Sequence, residues 1–141
     1  MRWLSLDVGA QRVGVAVCDA GEEVVTPSST LPFRDPRTLA AAVAILVRER
    51  GIEGVVVGVP VTRSGEGRGE RRVRSVIDEL RVALTIPVEE CDERGTTAAA
   101  SERLRDAGVP ARRQRALIDA VAAAVILEGF LALRRRPHAL R

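Results

Sequence analysis

Residues 4–17 read LSLDVGAQRVGVAV. An apolar strand passes through Leu4 and Leu6 into Asp7, the chain turns at Gly9, and a second apolar strand leaves from Val13. Two strands joined by so short a turn pair antiparallel. The carboxylate is the anomaly. A charge among strands this apolar is costly unless an opposite charge or a metal compensates it. The remainder of the chain is therefore read for what meets Asp7.

Outward from this hairpin, EEVVT at 22–26 follows the Asp19–Gly21 turn signal and reads as a third strand, completing a meander. The period then changes. Asp35 is placed to cap a helix with Pro36 at its first position, Leu39, Val43 and Leu46 give helical spacing, and Gly51 ends it. GVVVGV at 54–59 is apolar throughout, as expected of a strand buried on both faces. After a loop at 60–69, Val73, Val76, Ile77, Leu80 and Leu84 predict an amphipathic helix. IPVEEC at 86–91 predicts a fifth strand. Thr96 or Thr97 caps a third helix ending at Gly108, and a last helix runs from Pro110 to about Leu133. We expect one domain over 1–135 and a frayed tail over 136–141. A meander followed by alternating helices and strands implies one mixed α/β sheet with helices on both faces. Right-handed crossovers give the strand order 3-2-1-4-5. Cys18 and Cys91 then lie roughly 14 Å apart, too far for a disulfide.

With 46% hydrophobic and 29% charged residues over 141 positions, the chain reads as one globular domain. No stretch reads as clean enough to span a bilayer, and MRWLSLDV enters a strand directly, so a cytoplasmic protein without membrane contact is expected. Two cysteines without a CxxC motif, and a single His138, argue against a zinc site. Net charge is +3, and all 22 basic residues are arginine. Codon usage in a GC-rich genome explains the average, so function is sought in local clusters.

In the expected sheet the carboxyl ends of strands one, four and five share one edge, where α/β sheets place ligands. Asp7 ends strand one. Asp92 and Glu93 follow strand five, with Glu93 the favoured acid of the two. Asp119 is the one carboxylate in the apolar helix ALIDAVAAAVIL. Clustered carboxylates repel unless a cation joins them, and oxygen-only ligands favour Mg²⁺ or Mn²⁺. Such ions activate water and stabilise a leaving oxygen in phosphodiester cleavage. Duller readings compete: Asp7 capping the turn amides, Asp119 pairing with Arg115 on its own helix, and Asp92 or Glu93 capping the next helix. Candidate phosphate contacts are Arg12 beyond the Gly9 turn, Arg63 and Arg68 in the glycine-rich loop, Arg71 and Arg72 just after it, and Arg112, Arg113 and Arg115. The last three sit at a helix start, where cations oppose the dipole and an anion would offset them.

Taken in order, LDVGAQRVGVAVCD, VVVGVPVTRSGEG, CDERGTT and RRQRALIDAVAAAVILEGFL cover nearly the whole chain and resemble the YqgF/RuvX family. The resemblance implies an RNase H-like fold related to RuvC-type Holliday junction resolvases. It also implies a nuclease that matures pre-16S rRNA, with Asp7, Glu93 and Asp119 as the metal-binding acids and Asp92 beside them. Three positions depart from the pattern. Gln11–Arg12 stands where the family often has Lys-Arg, Gly95 where it has Leu, and Val59–Pro60 where resolvases carry an acid. The expected partner is nucleic acid, either pre-rRNA or branched DNA; the branched-DNA reading calls for a homodimer, because two symmetric cuts need two sites. DVGAQRVGVAV also resembles the first phosphate motif of actin-like and sugar-kinase ATPases, but those folds need two such lobes and this chain has room for one. A non-catalytic nucleic-acid-binding protein on the same fold is the remaining alternative.

Overall fold

The computed structural model describes residues 1–60, 67–93 and 96–139, and the side chains among these except at 96–97 and 136–139. Arg63 and the cap at Thr96 or Thr97 lie outside what is described. The elements are β1 (Trp3–Val8), β2 (Arg12–Cys18), β3 (Val25–Pro32), α1 (Pro36–Arg50), β4 (Gly54–Pro60), α2 (Arg68–Ala83), β5 (Val88–Glu93), α3 (Thr96–Asp106) and α4 (Ala111–Ala139). They form one five-stranded sheet in the expected order β3-β2-β1-β4-β5. The pairs β1–β2 and β2–β3 are antiparallel, and β1–β4 and β4–β5 are parallel.

Strand alternation divides the core into two layers. Leu4, Leu6, Val13, Val15, Val55 and Val57 face α1 and α2, where they meet Leu39, Val43, Val73, Ile77 and Leu80. Trp3, Ala16, Cys18 and Val56 face α4, where they meet Ala123, Ala124, Leu127 and Leu131. The alanines bring α4 close to the sheet. Ser5 Oγ, fully buried, donates to the Ala123 carbonyl at 2.7 Å. At Gly14 a Cβ would stand 1.8 Å from the Asp119 carbonyl oxygen, so only glycine lets the helix backbone seat there.

The α1 caps are as read: Asp35 accepts from Thr38 N at 2.7 Å, and Gly51 closes the helix in the left-handed region at φ 62°. Several boundaries differ. β3 spans Val25–Pro32 against the expected 22–26, and does not cover Glu22 and Glu23, because Asp19 holds those residues in a turn. Its carboxylate accepts from Glu23 N and Val24 N, each at 2.8 Å. β5 begins at Val88, two positions past the expected start at Ile86, and carries Asp92 and Glu93 within the strand. α4 continues past Leu133 to Ala139, through the start of the segment expected to fray. α4 is also long and apolar enough, by composition, to cross a bilayer, with a window of mean hydropathy 2.2. Half of that window is buried inside the protein, where it is the core helix of the second layer. Cys18 and Cys91 are both free.

Candidate active site

Three elements converge at the carboxyl edge of β1. Trp3, Ser5 and Asp7 alternate onto the α4 side of the sheet, and Asp7 lies opposite Gly14 of β2. On the other flank, Gly58 of β4 is one residue past the Leu6–Val57 pair. A Cβ at Gly58 would stand 2.5 Å from Ile126 Cδ1 of α4 and 3.2 Å from Glu93 Oε2. Glycines on both neighbouring strands thus leave the room in which α4 approaches Asp7 and the Glu93 carboxylate fits.

Asp7 and Glu93 are joined by a side-chain hydrogen bond. Two carboxyl groups in such contact share a proton. The Asp7 carboxyl is pushed up to about 7, first by burial, then by the Glu93 charge and hydrogen bond, and last by the charge of Asp119. β5 alternation separates the two adjacent acids. Glu93, opposite Pro60, shares the α4 face with Asp7, whereas Asp92, opposite the core residue Val59, projects to the other face and is exposed. The expectation that Asp92 stands beside the acidic set is corrected by this alternation.

Asp119, from the third turn of α4, reaches the same edge but is turned to a different partner. Its Oδ2 lies 3.1 Å from Arg12 Nε, at the start of β2. Arg115 on its own helix is exposed and makes no such pair. The Arg12 contact is an ion pair without hydrogen-bond alignment: Oδ2 is buried and accepts no hydrogen bond from the described residues. Arg12 itself is anchored through its backbone, since Gly9 N donates to the Arg12 carbonyl at 2.9 Å. A hollow of about 230 Å³ lies beside the pair, lined by Gly9, Ala10, Gln11, Arg12 and Asp119.

These donors fit a hard cation. Mg²⁺ is commonly held by one or two carboxylates and keeps several of its waters, which Asp7 and Glu93 supply, and the buried Asp119 Oδ2 is a third oxygen of the same chemistry. Among the described residues, however, no three His, Cys, Asp or Glu side chains are gathered closely enough to hold an ion together. The arrangement is a carboxyl pair with a third acid held aside by arginine.

The basic residues divide between two places at this edge. Arg112, Arg113 and Arg115 are exposed at the start of α4, on the acids' side of the sheet. Arg68 and Arg71 are exposed and Arg72 half-buried at the start of α2, which leaves β4 at the same edge but packs on the opposite face. Arg74, next along α2, pairs with Glu70 and Glu90 and so serves the fold. Gly14 and Gly58 were not singled out in the sequence. A glycine inside a strand pattern marks a close backbone approach, and both interrupt apolar runs.

The RuvX family model, described as Holliday junction resolvase, matches residues 1–133. A relative from Chloroflexus aggregans named "Putative pre-16S rRNA nuclease" is 42% identical over 135 residues, covering 95% of each chain. Among solved structures, Thermus thermophilus RuvC in complex with Holliday junction substrate superposes with a TM-score of 0.61 at 18% identity, over 95% of this chain and 96% of that one. The Fowlpox virus resolvase, also in complex with Holliday junction DNA, superposes with a TM-score of 0.56 at 11% identity, over 94% and 97% of the two chains.

Proposed function

This chain belongs to the RuvX family, and from that premise we propose that it is a divalent-metal-dependent endonuclease acting on structured nucleic acid, with the pre-16S rRNA 5′ end as its substrate. The observation that carries the reading is the half-buried Asp7–Glu93 carboxyl pair at the ligand edge of the sheet. A structural pair of acids with no cation nearby costs stability and contributes nothing in return. Asp7 and Glu93 would hold Mg²⁺ or Mn²⁺, with Asp119 as the third acid. Such an ion supplies an activated water and charge stabilisation at the leaving oxygen.

The chain's own residues do the rest. Asp7 and Glu93 give up their shared proton before both can act as ligands. Gly14 and Gly58 fix how near α4 and Glu93 come to Asp7. Arg112, Arg113 and Arg115 flank the acids on α4 and orient a phosphate backbone across the edge, while Arg68, Arg71 and Arg72 extend the basic surface around it, joined in the sequence by Arg63. Aromatic residues are 2% of the chain, which leaves recognition to shape and backbone contact rather than to base stacking.

Cleavage of four-way DNA junctions is the second reading. It is favoured by the superposition on two resolvases solved with junction DNA, and it requires a dimer. Val59–Pro60, where resolvases carry an acid, weighs against carrying their mechanism over unchanged. A labelled pre-rRNA fragment and a labelled junction, each incubated with wild type, Asp7→Asn and Asp119→Asn in Mg²⁺ and in Mn²⁺, separate the two. RNA cut by wild type alone is the expected result. Symmetric cutting of the junction alone replaces it with the resolvase reading. Binding of both without cleavage replaces it with a non-catalytic binding protein.

A further inference from the structure

Asp119 is the odd member of the acidic set. It reaches the edge where Asp7 and Glu93 meet, and its charge is felt by Asp7, yet its Oδ2 is turned to Arg12 Nε at 3.1 Å. Arg12 neutralises this oxygen without hydrogen-bonding it. A contact held by charge alone is replaceable by a better partner on either side. For the carboxylate, that partner is a divalent cation. For the guanidinium, it is an anion that takes two parallel hydrogen bonds, as a phosphate does. Arginine cannot leave by losing its proton, so only a competing anion or cation can open the pair. Arg12 is free to move: its backbone is fixed by the Gly9 turn, but its side chain is 57% exposed and borders the hollow lined by Gly9, Ala10 and Gln11.

We propose that Arg12 is a positioning residue that gates the third carboxylate: it occupies Asp119 in the metal-free protein, and a nucleic-acid phosphate entering the adjacent hollow draws the guanidinium away and frees Asp119 for the cation held by Asp7 and Glu93. The proposal rests on the nuclease reading of this site. It explains why three acids come to one edge without being gathered around a point. It also couples the two ligands. Phosphate that takes Arg12 tightens cation binding, and by linkage the cation tightens phosphate binding to the same degree. The acids stay incompletely assembled until substrate is present.

Mn²⁺ titrations followed by the electron paramagnetic resonance of the free ion test the first half, on protein without nucleic acid. Arg12→Gln should bind Mn²⁺ about fivefold more tightly than wild type, the scale of one partly exposed ion pair. Arg12→Lys keeps a charge opposite Asp119 and should stay near wild type. In an Asp119→Asn background, Arg12→Gln should change nothing. No gain in Arg12→Gln overturns the proposal, and so does a gain that persists with Asp119→Asn, since that reports only the removal of a positive charge. Mn²⁺ binding that is lost in Asp7→Asn keeps the cation site standing whichever way Arg12 falls. Absence of Mn²⁺ binding in wild type and Arg12→Gln alike removes the nuclease reading and this proposal together.

Nuclear magnetic resonance in EDTA tests the second half. The Arg12 Nε–Hε signal, identified by its absence from Arg12→Gln, should move when an RNA hairpin is added to wild type. In Asp119→Asn it should begin near the RNA-bound position. A signal unmoved at saturating RNA overturns the gating.

Discussion

Asp7 holds a proton that an exposed aspartate would have lost. Its carboxyl lies near 7 in the folded chain against 3.8 for the free side chain, with burial the largest cause and Glu93 the next. Between these two values the folded state binds more protons than the unfolded state, so the Asp7 contribution to stability falls as pH rises. Below 3.8 the contribution is complete, and above about 7 it levels off at its most unfavourable. Asp7→Asn keeps the shape and removes the charge. In EDTA it should melt above wild type, by a margin that grows across that pH window and is flat beyond it; with Mg²⁺ supplied it should lose cleavage altogether. Melting curves of the two proteins at a series of pH values check this, and a margin independent of pH would mean the Asp7 charge is not desolvated. The same residue marks how far the sequence could be read. That Asp7 needs a compensating partner follows from its neighbours Leu4, Leu6 and Val8. That the partner is Glu93 and not Asp92 depends on which face of β5 each occupies, and a strand ended at Cys91 leaves both in a loop with no face at all. Arg115, at helical spacing, was the partner visible for Asp119; Arg12 is over a hundred residues away in sequence and is brought there only by the packing of α4 on β2.

At the level of elements, α4 is seated by small residues. Its alanines face the sheet, and the Asp119 carbonyl closes on Gly14 so nearly that a methyl group there would overlap it. Gly14→Ala should therefore push α4 outward at the turn that carries Asp119. The expected cost is about 2 kcal/mol or more, read as a melting temperature lower by about 6 °C, with Asp119 withdrawn from both Arg12 and Asp7. An unchanged melting temperature would mean that helix and strand are not in contact at this point. Legibility varied among elements for reasons of the same kind. The ends of α1 were plain because Asp35, Pro36 and Gly51 act on the backbone next to them. β3 was misplaced because its own residues carry no alternation: it is an edge strand with Pro27 and Pro32, and the apolar pair Val24–Val25 straddles its start, Val24 belonging to the turn closed by the Asp19 carboxylate. β5 was displaced for a similar reason. It is the opposite edge, its charged residues Glu89, Glu90 and Asp92 are exposed, and Ile86 and Pro87, which looked like its start, lead into it.

For the whole molecule, strand order was readable because few arrangements satisfy a short antiparallel meander followed by right-handed crossovers, and that order alone brings the ends of β1, β4 and β5 to one edge. The net charge of +3 is small for a nucleic-acid-binding protein, so affinity must come from where the arginines stand rather than from their number. Arg112 and Arg113 are exposed beside the acids at the start of α4, and Arg48 and Arg50 stand at the end of α1, toward the opposite edge of the sheet. Each arginine that meets a phosphate releases condensed counterions, and for a DNA duplex it adds about 0.9 to the slope of log affinity against log salt. Replacing Arg112 and Arg113 together by alanine should thus flatten the slope for duplex arms of a junction by about 1.8, weakening binding at low salt without regard to sequence. Replacing Arg48 and Arg50 should leave the slope where it was, although the two pairs change the net charge equally. Fluorescence anisotropy over a salt series makes the comparison. Equal flattening by both pairs would mean that the protein attracts the backbone through its overall charge, and the acidic edge would then have no claim to be the place where the backbone lies.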